Sequence, residues 1–209
     1  MIIKDVYSHK GGLEYIKKNH PKELDDVYKA VKKININKAL SKKSLEKTKN
    51  SLLFSPIDMN NQLKDYLSKK KWVSKSINFD DQTNAFREID GLKNKVGLEI
   101  QFGKYAFMAY DIFSKMPIFK NRELIDCGIE LVLSHPMIKH MSTGVSSFRQ
   151  IKLDIEARGE ADLDIPTLIL GFECSPTDWD LVEKIRKNFK SGRKTNQTNL
   201  KGNKPGPKK

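Results

Sequence analysis

Seven residues, Val96-Gly-Leu-Glu-Ile-Gln-Phe102, constrain the fold of this chain more than any other stretch. Leu98, Ile100 and Phe102 alternate with Gly97, Glu99 and Gln101, the period of two that marks a strand with one buried face. Side chains two apart share a face, so Glu99 and Gln101 project together. Asp90 precedes Glu99 by nine positions, across a Gly-Leu-Lys-Asn-Lys turn, and residues 85–89 supply the partner strand of a hairpin. Such a hairpin brings Asp90 near Glu99. Two carboxylates converging at a strand end make a hard, oxygen-rich site suited to Mg²⁺. The same spacing also describes an ordinary half-exposed strand with a solvated Glu and Gln, so the pattern alone does not decide between them.

Around the hairpin the hydrophobic pattern predicts an α/β chain. Leu24, Val27, Ala30, Val31 and Ile34 recur at helical steps within residues 11–49, with Pro21 suited to a first turn, and 41–49 reads as a short basic helix. Ser55-Pro56 breaks the chain, and Asp58 or Asn60 caps a helix to about residue 70. Residues 72–79 read as a strand. After the hairpin, 105–116 form a helix whose Phe107, Met108, Tyr110, Ile112 and Phe113 suit a core or a subunit contact. A short strand at 128–133, a loop at 142–147 and a helix at 148–158 follow. Residues 166–172 are a continuous apolar run, as in a buried parallel strand. A last helix, capped by Thr177, ends near Phe189. This order predicts a central mixed sheet flanked by helices. It fits one domain over residues 1–190 with a basic tail at 191–209 that is disordered when free.

Charge placement narrows the partners. The chain carries a net charge of +13, of which residues 184–209 supply +10, with ten Lys or Arg and no Asp or Glu. The rest is nearly balanced, apart from a lysine-rich stretch at 29–49. A basic tail attracts polyanions without regard to sequence, although lysines of this kind also serve solubility alone. No apolar run approaches the ~18 residues of a membrane span, and the N-terminus lacks signal-peptide blocks. The expectation is a cytoplasmic protein with no membrane partner. Cys127 and Cys174 have no metal-binding spacing and read as buried small hydrophobes. His9, His20, His135 and His140 are scattered, which favours structural or surface roles. Phosphate-binding glycine loops and serine-nucleophile elbows are absent from the sequence.

The longer string Glu-Ile-Gln-Phe-Gly-Lys-Tyr-Ala-Phe-Met-Ala-Tyr-Asp, residues 99–111, resembles the active-site segment of type II restriction endonucleases of the BglII/BstYI group. These are PD-(D/E)xK nucleases in which Gln replaces the motif Lys. Val6-Tyr-Ser-His-Lys-Gly-Gly-Leu-Glu-Tyr-Ile16, Leu53-Phe-Ser-Pro-Ile57 and Met141-Ser-Thr-Gly-Val-Ser146 are similar to that group too, in order, over residues 6–172.

The resemblance implies a restriction-endonuclease-like sheet with the hairpin at its active end. It also implies a homodimer that cuts double-stranded DNA with Mg²⁺ at a GATC-centred palindrome, RGATCY or AGATCT-like, leaving 5′ overhangs. A cognate methyltransferase would be encoded nearby. Asp90 and Glu99 are then the metal carboxylates and the Ile100 carbonyl a further ligand. Gln101 can orient water by hydrogen bonding but cannot act as a base. Lys104, Ser142, Thr143, Gly144 and Ser146 are the candidate DNA contacts, with Thr143 standing where the resemblance has Ser. The rival reading is a noncatalytic DNA-binding protein on the same fold, its affinity carried by the basic tail.

Overall fold

A computed structural model describes residues 1–44, 51–80, 85–142 and 144–201, without the side chains of residue 80 and residues 191–201. One six-stranded sheet runs through the molecule. Its strands are β1 (Ile2–His9), β4 (Val73–Asp80), β5 (Ala85–Lys93), β6 (Val96–Ile100), β7 (Cys127–Leu133) and β8 (Thr167–Glu173), in the spatial order β1-β8-β7-β6-β5-β4. β6, β7 and β8 are mutually parallel, while β1, β4 and β5 pair antiparallel with their neighbours. β2 (Lys42–Lys43) and β3 (Leu52–Leu53) form a separate ribbon.

Helices cover both faces, so β8 reads as a nearly continuous apolar run and even the polar positions of β6 and β7 are buried. On one face α1 (Gly12–Asn19), α2 (Pro21–Lys32), α3 (Ile36–Ala39), α4 (Pro56–Ser68) and α8 (Pro176–Lys201) bury residues such as Ile16, Val31, Leu63 and Val182 against Leu98, Leu131 and Leu170. On the other face lie α5 (Tyr105–Tyr110), a π-helical turn (Asp111–Lys115), α6 (Met116–Asn121) and α7 (Phe148–Arg158). There Met108, Ile112, Phe148 and Ile151 pack on Val132 and Ile169. Gly12 shows how close the first helix comes, since a Cβ there would lie 2.3 Å from the backbone carbon of Thr167. Among the described residues no helix is long and apolar enough to cross a membrane.

The structure corrects several expectations. β1 is a sheet strand that the pattern hides, because Ile2 and Val6 face outward on an edge. The basic stretch begins with β2 rather than a helix, and residues 45–50 lie outside the described residues. Ser55 caps α4 by accepting from the Asp58 amide, in place of Asp58 or Asn60. Ser175, not Thr177, accepts from the Asp178 amide at the start of α8. That helix runs to Lys201, well past Phe189, so the basic tail begins as helix; residues 202–209 lie outside the described residues. The two cysteines are free and buried, as expected, and burial pushes each thiol up to about 12.

Candidate active site

The site is built at the splayed end of the β5–β6 hairpin. Asn94 and Lys95, with φ of 46° and 67°, form the connecting turn. This is the left-handed geometry of a two-residue hairpin loop, tighter than the five-residue turn the sequence suggests. The β5–β6 ladder runs only from the Lys93–Val96 pair to Gly91–Leu98. On its other side β5 carries one extra residue, since Ile89 to Leu92 spans three steps opposite two from Lys75 to Val73. A bulge of this kind bends a strand and re-aims a side chain. Here it turns Asp90 into the gap where the hairpin strands part. Asp90 Oδ2 accepts from the Ile100 amide at 2.9 Å, and Oδ1 lies 2.6 Å from Lys64 Nζ on α4. A cavity of about 190 Å³ opens beside it, walled by Lys64, Trp72, Ser74 and Ile100.

Glu99 is more buried than a half-exposed strand face allows, at 3% exposure. β6 lies between β5 and β7 with helices on both faces, so even its polar position points inward. The π-helical turn meets it there. Lys115 Nζ lies 2.9 Å from Glu99 Oε1 and 2.6 Å from Asp111 Oδ1, and both carboxylates are buried. Burial, reinforced by the negative charge of Asp111, pushes the Glu99 carboxyl up to about 8 despite the nearby ammonium. Burial raises Asp111 as well, opposed by its hydrogen bond and charge contact with Lys115. Gln101 is engaged at both ends of its amide. Its Nε2 donates to Asp111 Oδ2 at 3.0 Å, and its Oε1 accepts from the Gly103 amide at 2.7 Å. In this state Gln101 ties the strand to the helix rather than orienting a water.

Asp111 and Lys115 were not singled out from the sequence. The available signal was an i,i+4 Asp–Lys pair inside an otherwise apolar helix just after the motif, since charged groups on a packed helix are rare unless paired.

The sheet adds another acid. Glu130 is the register partner of Glu99 on β7, is fully buried, and has neither oxygen hydrogen-bonded within the described protein. Burial first, then the charges of Asp111 and Glu99, hold its carboxyl well above the ordinary range. Ionising it inside the folded chain is therefore unfavourable. A raised folded value means the stabilisation is complete below the unfolded value of ~4.3 and is lost as pH rises toward the folded value. Glu130→Gln should remove that loss, raising Tm by about 3 °C or more at pH 8 with little change at pH 4. Paired thermal melts check it, and an equal shift at both pH values would contradict it.

The candidate DNA contacts split into two groups. Lys104 is exposed and pairs its backbone with Val145 in a bridge, so the residue after the motif and the 142–146 loop stand side by side. Ser142 Oγ accepts from Lys42 Nζ at 2.7 Å, and Gly144 adopts φ 86°, which a side chain would strain. Ser146 belongs elsewhere. It is buried, and its Oγ donates to the Gly103 carbonyl at 3.1 Å, anchoring the loop to the motif instead of facing outward. Thr143 lies outside the described residues.

Among the described residues no three His, Cys, Asp or Glu side chains already form a metal cage. The donor chemistry nevertheless suits a divalent cation. Burial beside Asp111 makes ionised Glu99 unfavourable without a further positive charge, and Asp90 lines the cavity next to Ile100. Ammonium groups, Lys115 and Lys64, now sit on these carboxylates.

Comparisons with known proteins bear on the fold and the family of the chain. The structure of BglII complexed with a DNA 16-mer matches with a TM-score of 0.67 at 19% identity, over 84% of this chain and 79% of that one. Free BglII matches with a TM-score of 0.59 at 17% identity, over 84% and 81%. At such identities the likeness establishes the fold. None of the curated proteins compared matches the chain. The family model described as restriction endonuclease BglII/BglIII matches residues 4–172, most of the sheet and the whole hairpin site, and by that match the chain belongs to the BglII/BglIII family of restriction endonucleases.

Proposed function

We propose that this sequence-specific DNA endonuclease acts as a homodimer, uses Mg²⁺, and cuts a GATC-centred palindrome, RGATCY or AGATCT-like, to leave 5′ overhangs. The observation that carries the reading is that Asp90, where the hairpin strands part, accepts from the amide of Ile100, next to Glu99 in the chain, and is near enough for its charge to act on the Glu99 carboxyl, with the exposed Lys104 just beyond. Asp90, Glu99 and the Ile100 carbonyl would hold the ion. When bound, it supplies Lewis-acid stabilisation of phosphate charge and a more acidic water. Asp90 is pre-aimed by the Ile100 amide, and Glu99 by Lys115. Gln101 can carry no charge; Lys64 and Lys115 pair with the carboxylates, and Lys104 is exposed nearby. Two copies related by a twofold axis would cut both strands of a palindrome. Protection of the host's own sites would fall to a partner methyltransferase. Incubation with phage DNA and Mg²⁺, followed by sequencing of the ends, tests the proposal. Discrete fragments with GATC-centred overhangs support it. Retardation of DNA without cleavage favours the binding-only reading.

Base reading belongs to Lys104 and the tip of the 142–146 loop, including Ser142, Thr143 and Gly144, with Ser146 as the anchor. Lys donates well to guanine O6 and N7, and Gly144 lets the backbone approach the duplex. Lys104→Ala, assayed against sites differing by single base pairs, should lose about 1–3 kcal/mol of discrimination at one position. A uniform loss over the panel would make it a phosphate contact.

We assign the basic tail to nonspecific affinity, apart from the 1–190 endonuclease domain. Deleting residues 191–209 removes six Lys or Arg. If half of these neutralise phosphates, the log–log salt slope falls by about 3 units with no change in the sequence cut. A truncated chain that cut a different sequence would give the tail a reading role.

A further inference from the structure

We propose that Lys115 is a positioning residue that serves as the internal counter-ion of the active site and sets its affinity for the divalent cation, which must take Glu99 from it. The inference rests on the reading above, in which Glu99 is a metal ligand. Three observations carry it. Lys115 Nζ bridges two buried carboxylates, at 2.9 Å from Glu99 Oε1 and 2.6 Å from Asp111 Oδ1, with a side chain only 14% exposed. The ammonium therefore stands where positive charge is needed when no metal is present. Second, Lys115 and its partner Asp111 are delivered together by one π-helical turn, Asp111–Lys115, inserted between α5 and α6, and meet Glu99 on β6. Such insertions are uncommon and concentrate at functional sites. Third, Gln101 donates to the other oxygen of Asp111, so Asp111 is fixed from two sides while Glu99 has only the ammonium among the close partners identified.

These contacts make the exchange asymmetric. A cation arriving at Glu99 breaks one of the two Lys115 ion pairs, and Asp111 keeps the displaced ammonium close by. Two like charges are then held near one another, which weakens the cation's hold until a phosphate of DNA brings further negative charge. The free chain thus binds metal poorly, and DNA and metal favour each other's binding, as linkage requires. A purely structural ion pair predicts the opposite response to mutation, because removing it would loosen the site and weaken every ligand.

The test is calorimetric titration of the full chain with Mn²⁺ in the absence of DNA, for the wild type, Lys115→Met, Lys115→Arg and Glu99→Gln, with circular dichroism to confirm folding. Lys115→Met should bind Mn²⁺ about tenfold tighter or more, since a like charge a few ångströms away has been removed. Lys115→Arg keeps the charge and should bind no tighter than wild type. Glu99→Gln should lose binding. If Glu99→Gln loses binding while Lys115→Met binds equally or more weakly, the counter-ion proposal is overturned and the Glu99 assignment stands. If Glu99→Gln binds like the wild type, the assignment of Glu99 falls, and the proposal with it. Should Lys115→Met not fold, Lys115→Gln replaces it with the same expectation, and an Arg variant that binds Mn²⁺ tighter than wild type overturns the proposal independently.

Discussion

Glu99→Gln should lower the cleavage rate by on the order of 10³-fold or more while leaving specific DNA binding close to wild type. The reading makes Glu99 a ligand of the ion that neutralises charge on the scissile phosphate, and such stabilisation is worth several kcal/mol of transition-state energy. Gln has the same shape but no charge to offer. The fold should accept it readily, because Glu99 is buried and its carboxyl is already pushed up to about 8, so ionising it is costly near neutral pH. Asp90→Asn should give a loss of similar size for a different reason. Asn can still accept from the Ile100 amide through its oxygen, but its amide nitrogen would face Lys64, and the second ligand is gone. Single-turnover cleavage in Mg²⁺, with binding measured separately in Ca²⁺, checks both variants. Ca²⁺ occupies oxygen sites with looser geometry and activates water less, so it should support binding without turnover. Wild-type rates for either variant would show that the hairpin carboxylates are not the catalytic pair.

How far the site was readable from the sequence depends on which forces place each residue. The β5–β6 hairpin was legible because alternation and a turn signal are local, β7 and β8 from their apolar runs, and α7 from Ile151 and Ile155 at helical spacing. β1 was not. Its outward-facing Ile2 and Val6 break the hydrophobic pattern, and only pairing with β8 across the whole chain makes it a strand. The bulge that aims Asp90 leaves no local mark, since it reflects a mismatch in register between β4 and β5. Burial of Glu99 was missed for a related reason. Alternation suggests one buried face, whereas a strand in mid-sheet between two helical layers has two. Lys115 and Asp111 sat in plain view as an i,i+4 pair, but a regular helix and a π-helical turn share that spacing, and nothing local aims the pair at Glu99. Ser146 looked like a loop-tip hydroxyl, yet its neighbour Val145 pairs with Lys104 and draws it inward. Propensity placed the elements; contacts between distant parts of the chain placed the functional atoms.

The largest structural effect should come from a residue far from the chemistry. Asp164 is buried before β8, and its carboxylate collects four donors. Arg158 gives two bonds at 2.7 and 2.9 Å, the Ala161 amide gives one at 2.8 Å, and His9 Nε2 lies at 3.1 Å. These contacts tie the end of α7, the following turn and the last residue of β1 to one point. Arg158 also stacks over the Phe113 ring at 4.1 Å, so its guanidinium is held from both sides. Asp164→Ala leaves the buried imidazole without its partner and removes the acceptor of two bonds from the part-exposed Arg158 and one from the Ala161 amide, a loss of about 3 kcal/mol in all. For a chain of this size that lowers Tm by roughly 6–12 °C.

The pH dependence separates this cause from simple loss of packing. Burial alone would raise the Asp164 carboxyl, but the Arg158 guanidinium and the Ala161 amide hold it below the ordinary value. A depressed folded value means the stabilisation is full above the unfolded value near ~3.9 and is lost as pH falls through the folded value. Thermal melts should therefore show wild type and Asp164→Ala far apart at pH 7 and converging as the pH drops below about 4. A gap that stayed constant from pH 7 to pH 3 would assign the effect to packing rather than to charge. At low temperature, where both chains are folded, single-turnover cleavage should be unchanged, because no atom of this cluster is among those placed at the hairpin carboxylates.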